Sequence, residues 1–242
     1  GTLSLLQSAK VTWEGNGYKN ADGMECRFYH ISTDEVYGAL ELTHPQGKQS
    51  DISAHEVYGD DFFVETTKYN PHSPYSASKA SADLLCLSYF ATYGIGVTIS
   101  RCSNNFGPYQ HNEKLIPKIV YNCINNLKIP IYGKGENIRD WIYVLDHCRA
   151  IDYIINSNCE GQIFNVSSGK QLTNIDLTKK ILKILEKEQD LIEFIQDRKG
   201  HDKKYSISSP WRCHAALLTG LSVYDDIAKY AGAGTLVPIT GF

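Results

Sequence analysis

The sequence predicts an α/β fold built on a parallel sheet, and three observations carry that expectation. Short β-branched runs such as "CRFYHIST", "GVTISR", "GQIFNVSSG" and "LIEFIQ" alternate with longer helical patterns. The helical patterns repeat apolar residues at three- and four-residue intervals. One strand ends on Thr33, Asp34 and Glu35, and such folds place their sites at the carboxyl ends of parallel strands.

Taken in order, "GTLSLLQSAK" carries Leu3, Leu5, Leu6 and Ala9 near helical spacing and reads as the end of a helix. "WEGNGYKNADGMEC" is loop, dense in Gly, Asn and Asp. "CRFYHIST" is a short buried strand. The stretch from Gly38 to Pro74 is polar and aperiodic, and a loop of that length reads as a functional lid. Ala77, Ala80, Leu84, Leu87 and Phe90 then mark a helix that Gly94 stops. "GVTISR" is a strand, and "NEKLIPKIVYNCINNL" is a helix expected to be interrupted early by Pro117. "RDWIYVLDHCRAIDYIINS" gives a short strand and a helix from about Val144. "GQIFNVSSG" is a strand. "TNIDLTKKILKILEKE" is an amphipathic helix for which Thr173 or Asn174 is the cap, and "LIEFIQ" closes the pattern. No internal repeat is present.

Bulk properties narrow the function. The chain has 242 residues, 42% of them hydrophobic, which allows a sizeable core. A net charge of −3 gives no electrostatic case for nucleic acid or an anionic membrane. Seven cysteines, at 26, 86, 102, 123, 148, 159 and 213, form no CxxC and no zinc spacing. They read as reduced thiols of a cytoplasmic protein. His44, His55 and His72 are spaced too irregularly for a metal, so none is expected. No apolar run approaches the ~18 residues of a membrane span, and no signal peptide is visible. The chain starts without Met, so a trimmed N-terminus is expected.

Two stretches carry chemistry. In "YSASK", Tyr75 and Lys79 stand at i and i+4, one helical turn apart on one face. An ammonium beside a phenol favours the phenolate and is expected to lower the Tyr75 pKa, making it a base for a hydroxyl proton. The same spacing also arises by chance in many helices. In "STDE", Thr33 offers a hydroxyl, and Asp34 and Glu35 cannot both ionise cheaply in a poorly solvated pocket. One becomes an acid and the other a base, which is the equipment for eliminating water. A solvated strand end is the plain alternative.

"ISTDEVYG", "SPYSASKA", "CSNNFGPYQ", "EKLIP", "IYGKGENIRDW" and "DRKGHD" occur in that order. Together they resemble the nucleotide-sugar 4,6-dehydratases of the extended short-chain dehydrogenase/reductase superfamily, over roughly residues 1–207. The resemblance implies a Rossmann-like sheet, NAD as cofactor, and a nucleotide-diphosphate glucose, dTDP-glucose by likeness, as substrate. It implies that Tyr75 takes the 4-hydroxyl proton, Lys79 holds the nicotinamide ribose, and Thr33 bonds the 4-oxygen. Glu35 would remove the C5 proton and Asp34 would protonate the departing C6 hydroxyl. Asn104 would contact substrate and Asn105 the cofactor region, although "NNFGP" also has turn composition. Lys114 and Leu115 would sit near the diphosphate, and Pro130, Ile131 and Tyr132 along the nucleobase. Arg139 is the diphosphate candidate, because a guanidinium can pair two phosphate oxygens; a structural pair with Asp140 or another carboxylate is the alternative. Asn165, Asp197, Arg198 and His201 match further substrate contacts, with Lys199 where the family usually has proline. A homodimer through a four-helix bundle, with the Tyr75 helix contributing, is also implied.

Two departures accompany the match. No strand–GxxGxxG–helix turn precedes "ISTDEVYG", and "AGAGTLV" is a poor substitute, so the sheet is expected to lack its first strands and its phosphate-cradling turn. After "KKYSIS" the family pattern stops; from Leu217 the chain resembles a segment of the stage V sporulation A membrane proteins. The expected organisation is the later part of a cofactor-binding domain with the catalytic residues (1–110), a substrate-binding region (111–207) and an atypical tail (208–242). The rivals are a related 4-epimerase or decarboxylase, and a non-catalytic fragment that binds a nucleotide sugar or a partner chain.

Overall fold

The computed structural model describes residues 1–40, 62–198 and 201–208. The central part of the expected lid, including His44 and His55, and nearly all of the tail lie outside the described residues.

Helix α1 (Thr2–Glu14) opens the chain and runs past the expected boundary into Trp13 and Glu14. Strand β1 (Arg27–Thr33) follows, and a short 3-10 turn (Asp34–Tyr37) grows directly from its end. Helix α2 (Pro74–Tyr93) starts on a capping box: the Ser73 and Ser76 hydroxyls each accept the other residue's backbone N–H at 3.0 Å. Pro74 takes the first helical position, where its missing N–H costs nothing, and Gly94 ends the helix in the left-handed region.

Strand β2 (Gly96–Cys102) lies parallel between β1 and β6 (Ile163–Val166). Its register pairs Arg27 with Gly96 and Thr33 with Cys102, so both strands end at one level. Central strands of parallel sheets are covered on both faces, and residues 97–101 are accordingly buried. Leu6 of α1, Cys86 and Tyr89 of α2, and Val97 and Ile99 of β2 form one core.

A second sheet joins β3 (Asn104–Phe106), β5 (Ile138–Tyr143) and β7 (Gln171–Thr173), with β3 parallel and β7 antiparallel to β5. A third pairs β4 (Ile129–Tyr132) with β8 (Ile192–Ile195) in parallel. Helices α3 (Leu115–Ile124) and α5 (Asn174–Ile184) cover β4 and β5 through Ile119, Cys123, Ile131, Trp141 and Ile181. Helix α4 (Val144–Ile155) packs Ala150 and Ile154 onto Ile142 and Val166. Pro117 does not interrupt α3: it is the third helical residue, where no intrahelical N–H bond is lost. Thr173 caps α5 by accepting the Asp176 N–H at 3.0 Å.

The described ends of the long 38–74 stretch are fastened to the body. Leu40 bridges to Lys204, and Phe63 bridges to Ile207. Gly38 adopts φ 87°, and a Cβ there would stand 2.4 Å from the Asn70 carbonyl oxygen, so only glycine lets the chain turn this tightly. Beneath this segment Arg101 is fully buried. Its Nε donates to Asp83 Oδ2 at 3.0 Å, and its guanidinium lies between the Tyr37 and Tyr69 rings, 4.7 and 4.6 Å from their centroids. His30 Nε2 lies 3.2 Å from Asp83 Oδ1.

Candidate active site

The 3-10 turn makes the site because it bends the chain at the end of β1 while its first residues are still inside the protein. Thr33 Oγ1 accepts the Glu35 N–H at 3.4 Å and donates to Asp34 Oδ1 at 3.3 Å, so one hydroxyl both caps the turn and orients the acid. Asp34 is 2% exposed, which excludes the solvated-strand-end reading. Burial, then the Glu35 and Asp140 charges, push its pKa from the ordinary 3.8 to about 8, against the pull of Arg139. Burial also raises Glu35, opposed by the positive charges of Arg139, Lys114 and Arg198. The neighbouring carboxyls are therefore unequal. Asp34 keeps its proton at neutral pH, and Glu35 sits among the cations.

Tyr75 stands in the first turn of α2, which packs on the 3-10 turn. Its ring is half in solvent, within the electrostatic reach of Glu35, Cys102 and Asp34. Here the expectation of a lowered phenol is corrected. Burial first, then the two carboxyls and Cys102, raise the Tyr75 pKa. Lys79 is not among the groups that act on this phenol; its ammonium donates to the Ile31 carbonyl at 2.7 Å. That bond spends one of three N–H donors and leaves two for hydroxyls of a ribose. The donor set of Tyr75 and Lys79 thus fits the nicotinamide-ribose end of a dinucleotide. No glycine-rich phosphate cradle occurs among the described residues.

The other candidates divide into those facing the site and those built into the frame. Arg139 is buried, and its guanidinium donates to the carbonyls of Ile138 at 2.8 Å and Asp202 at 2.9 Å and lies 4.4 Å from the Tyr205 ring centroid. It forms no pair with Asp140; its charge acts on Asp34 and Glu35 from a fixed position. Lys114 stands exposed at the start of α3, with Leu115 packed against the core behind it. On β4, Tyr132 faces outward and Pro130 is half-buried, whereas Ile131 is 2% exposed in the core, because alternate residues of a strand face opposite sides. Arg198 lies 4.8 Å from the Tyr132 ring centroid. Asp197 Oδ1 meets the Arg198 N–H at 2.8 Å and His201 Nδ1 at 2.7 Å, so these residues form one rim with Tyr132.

Asn104 is partly exposed on β3. Asn105 is tied down: its amide nitrogen donates to the Ser103 carbonyl at 3.2 Å, and its oxygen meets His147 Nδ1 at 2.9 Å. Burial lowers the His147 pKa to about 4, which keeps that ring neutral. Asn165 is fully buried. Its side-chain oxygen accepts the Tyr37 hydroxyl at 2.8 Å and its backbone N–H donates to Glu65 at 2.9 Å. Its amide is held inside the frame behind the 3-10 turn. Three neighbours were given no site role in the sequence: Cys102 beside Tyr75, Asp202 beside Glu35, and Asp140 beside Asp34. Cys102 and Asp202 stand at the ends of the quoted "CSNNFGPYQ" and "DRKGHD", and Asp140 was weighed only as a partner of Arg139.

A parallel α/β sheet with a YxxxK helix packed beside the carboxyl end of one strand is the arrangement of the NAD-dependent sugar-nucleotide dehydratases and epimerases as a class. Residues 1–212 match the family model described as GDP-mannose 4,6 dehydratase. A dTDP-glucose 4,6-dehydratase of Neisseria meningitidis is 39% identical over 220 residues, covering 86% of this chain and 57% of the relative. A crystal structure of dTDP-glucose 4,6-dehydratase from Bacillus anthracis in complex with NAD matches with TM-score 0.77 at 33% identity, over 96% of this chain and 67% of that one. DesIV, the dTDP-glucose 4,6-dehydratase of Streptomyces venezuelae with NAD and TYD bound, matches with TM-score 0.71 at 34% identity, over all of this chain and 60% of that one. The chain belongs to the dTDP-glucose 4,6-dehydratase family of NAD-dependent epimerases and dehydratases. It spans about 57% of the length of the curated relatives it matches. Residues 189–242 also match a model described as SpoVAC/SpoVAEB sporulation membrane protein. Among the described residues no helix is long and apolar enough to cross a membrane.

Proposed function

We propose that this chain is the catalytic and substrate-binding portion of a dTDP-glucose 4,6-dehydratase, acting in the cytoplasm as a homodimer. Residues 1–110 would carry the acid, base and tyrosine, residues 111–207 the sugar-nucleotide contacts, and 208–242 a tail outside that function. The observation that carries the reading is the buried Asp34 beside the half-buried Glu35, with Tyr75 in their field.

The reaction follows from unequal protonation. NAD, when bound, supplies the hydride acceptor for C4 and the hydride that returns to C6. Tyr75 takes the 4-hydroxyl proton, with Thr33 bonding the same oxygen. The 4-ketone then acidifies C5–H, and Glu35, held among Arg139, Lys114 and Arg198, removes that proton as a carboxylate. Asp34, still protonated at neutral pH, gives its proton to the C6 hydroxyl, which leaves as water. Lys79 offers its two remaining N–H groups to the ribose, and Asn105 borders the same region. Lys114 reaches the diphosphate and Asn104 the sugar, while Tyr132 and Arg198 flank the base. A raised Tyr75 phenol is compatible with this role because the oxidised nicotinamide brings a positive charge that favours the phenolate.

Calorimetric titration of the purified chain with NAD, followed by dTDP-glucose and an assay for the 4-keto-6-deoxy sugar, tests the reading. Saturable NAD binding and keto-sugar formation are expected. Nucleotide-sugar binding without NAD binding would instead support a second reading, a sugar-nucleotide-binding piece without redox chemistry.

A further inference from the structure

His72 is the one histidine of the 38–74 stretch that falls among the described residues, and no step of the proposed reaction uses it. It stands directly before Ser73, the cap of α2, and three residues before Tyr75. Its ring joins two parts of the chain 130 residues apart: Nδ1 lies 2.8 Å from Asp202 Oδ1. On the other side of the ring, Nε2 meets the Asn70 side-chain nitrogen at 3.0 Å. An ionised carboxylate only accepts and an amide NH2 only donates, so the ring carries its proton on Nδ1 and leaves Nε2 bare.

Both partners of His72 are themselves fixed. The Asn70 N–H donates to the Val36 carbonyl at 3.0 Å, within the 3-10 turn that carries Asp34 and Glu35. Asp202 Oδ2 accepts the Tyr205 hydroxyl, and the Asp202 carbonyl accepts Arg139 Nη2 at 2.9 Å and Asn137 Nδ2 at 3.2 Å. The Ile138 N–H donates to the Lys203 carbonyl at 2.8 Å, so residues 202–205 lie along the start of β5. His72 thus closes a line of contacts from the 3-10 turn, past the cap of α2, to β5. We propose that His72 is a positioning residue: its bridge to Asp202 holds the start of α2, and with it Tyr75, in place against the 3-10 turn and Arg139. The inference rests on the reading of Tyr75 as the group that takes the 4-hydroxyl proton.

Exposure separates this role from one in stability. The His72 side chain is 39% exposed, and polar pairs in that setting add little to global stability. Placement matters more to chemistry, where a shift of about 1 Å can cost about 100-fold in rate. The body of α2 is held from below, by Lys79 on the Ile31 carbonyl and by Asp83 on Arg101. The Ser73–Ser76 box shapes the first turn, but both of its members belong to the start of the helix. The bridge supplies what the box does not, a fixed point outside the helix at the end that carries Tyr75.

NMR of the ring nitrogens in the purified chain, without ligand, is the first test. The His72 signals, assigned by their loss in His72→Asn, are expected to show a proton on Nδ1; a bare Nδ1 overturns the inference. Relaxation of the Ser73 and Tyr75 amides then reads the start of the helix. In His72→Ala their order parameters are expected to fall from about 0.85 to about 0.6, with Ile99 on β2 unchanged. His72→Asn keeps a donor where Nδ1–H stood and is expected to restore both amides. Unchanged order parameters in His72→Ala overturn the inference. So does an equal fall at Ile99, which marks general loosening, and so does a His72→Asn chain as mobile as His72→Ala. Where the wild type makes the keto sugar, His72→Ala is expected to lower kcat about tenfold at unchanged KM, and His72→Asn to recover most of it. A wild type that makes no keto sugar sinks only the proposed reaction, because the ring proton and the order parameters decide the bridge without turnover.

Discussion

The floor of the site and its rim hold similar residue types in opposite conditions. On the floor, Asp34, Asp140 and Arg139 are dry, and their hydrogen bonds run to hydroxyls and backbone carbonyls. On the rim, Asp197, Arg198 and Tyr132 meet solvent; the hydrogen bond to His201 holds the Asp197 carboxyl below its ordinary value. Removal from water turns the same carboxyl from a weak surface partner into a proton store, because low dielectric magnifies every neighbouring charge. The floor is therefore the place where protonation is set, and the rim is the proposed place of ligand contact.

The comparison breaks most sharply at the base. Glu35→Gln is expected to lower formation of the 4-keto sugar by about 100-fold to 10,000-fold, with the folded state retained. A loss no greater than that of a rim variant would erase the distinction. The dry interior under the site is the next place to press. Arg101→Met leaves Asp83 buried without its cation and is expected to cost about 3–5 kcal/mol in denaturant unfolding. A second change, Asp83→Leu, should recover much of that loss.

A pH dependence sharpens the contrast further. Asp34 binds its proton more tightly in the folded chain than in the unfolded one, since its pKa stands at about 8 rather than 3.8. Its contribution to stability is full below the ordinary carboxylate pKa and is lost as pH rises through about 8. The unfolding midpoint of the wild type should fall between about pH 4 and about pH 8, and that of Asp34→Asn should fall less. The smallest effect belongs to the rim. Arg198→Ala removes a guanidinium stacked on Tyr132 and should raise the KM for the sugar nucleotide about threefold to tenfold with kcat unchanged. A matching fall in kcat would move Arg198 onto the floor.

These contrasts explain what the sequence made legible. Thr33, Asp34, Glu35, Tyr75 and Lys79 lie in two short contiguous runs, so each was visible locally, and the ordered series of motifs raised them above chance. The long helices and strands β1, β2, β6 and β8 were readable from periodicity and β-branched content. Strands β3 and β7 have three residues each and exist because β5 lies between them, a pairing no local pattern carries. β4 was quoted only as a run of contacts, and its pleat sends Ile131 inward, away from Tyr132. Arg139 and Asp140 were weighed as a pair on sequence adjacency, yet neighbours on a strand point to opposite faces, and one joined Asp202 while the other joined Ser168. Asn165 was named a substrate contact by resemblance; its burial depends on Tyr37 and Phe63, more than a hundred residues away, which no local pattern carries.

The Ser73–Ser76 box brackets Tyr75. The Ser76 amide is shielded from solvent deuterium only while that first turn is closed, and the phenol keeps its position only under the same condition. The exchange rate of this one amide therefore times how long the tyrosine stays poised, and it can be followed in the absence of cofactor, substrate or turnover.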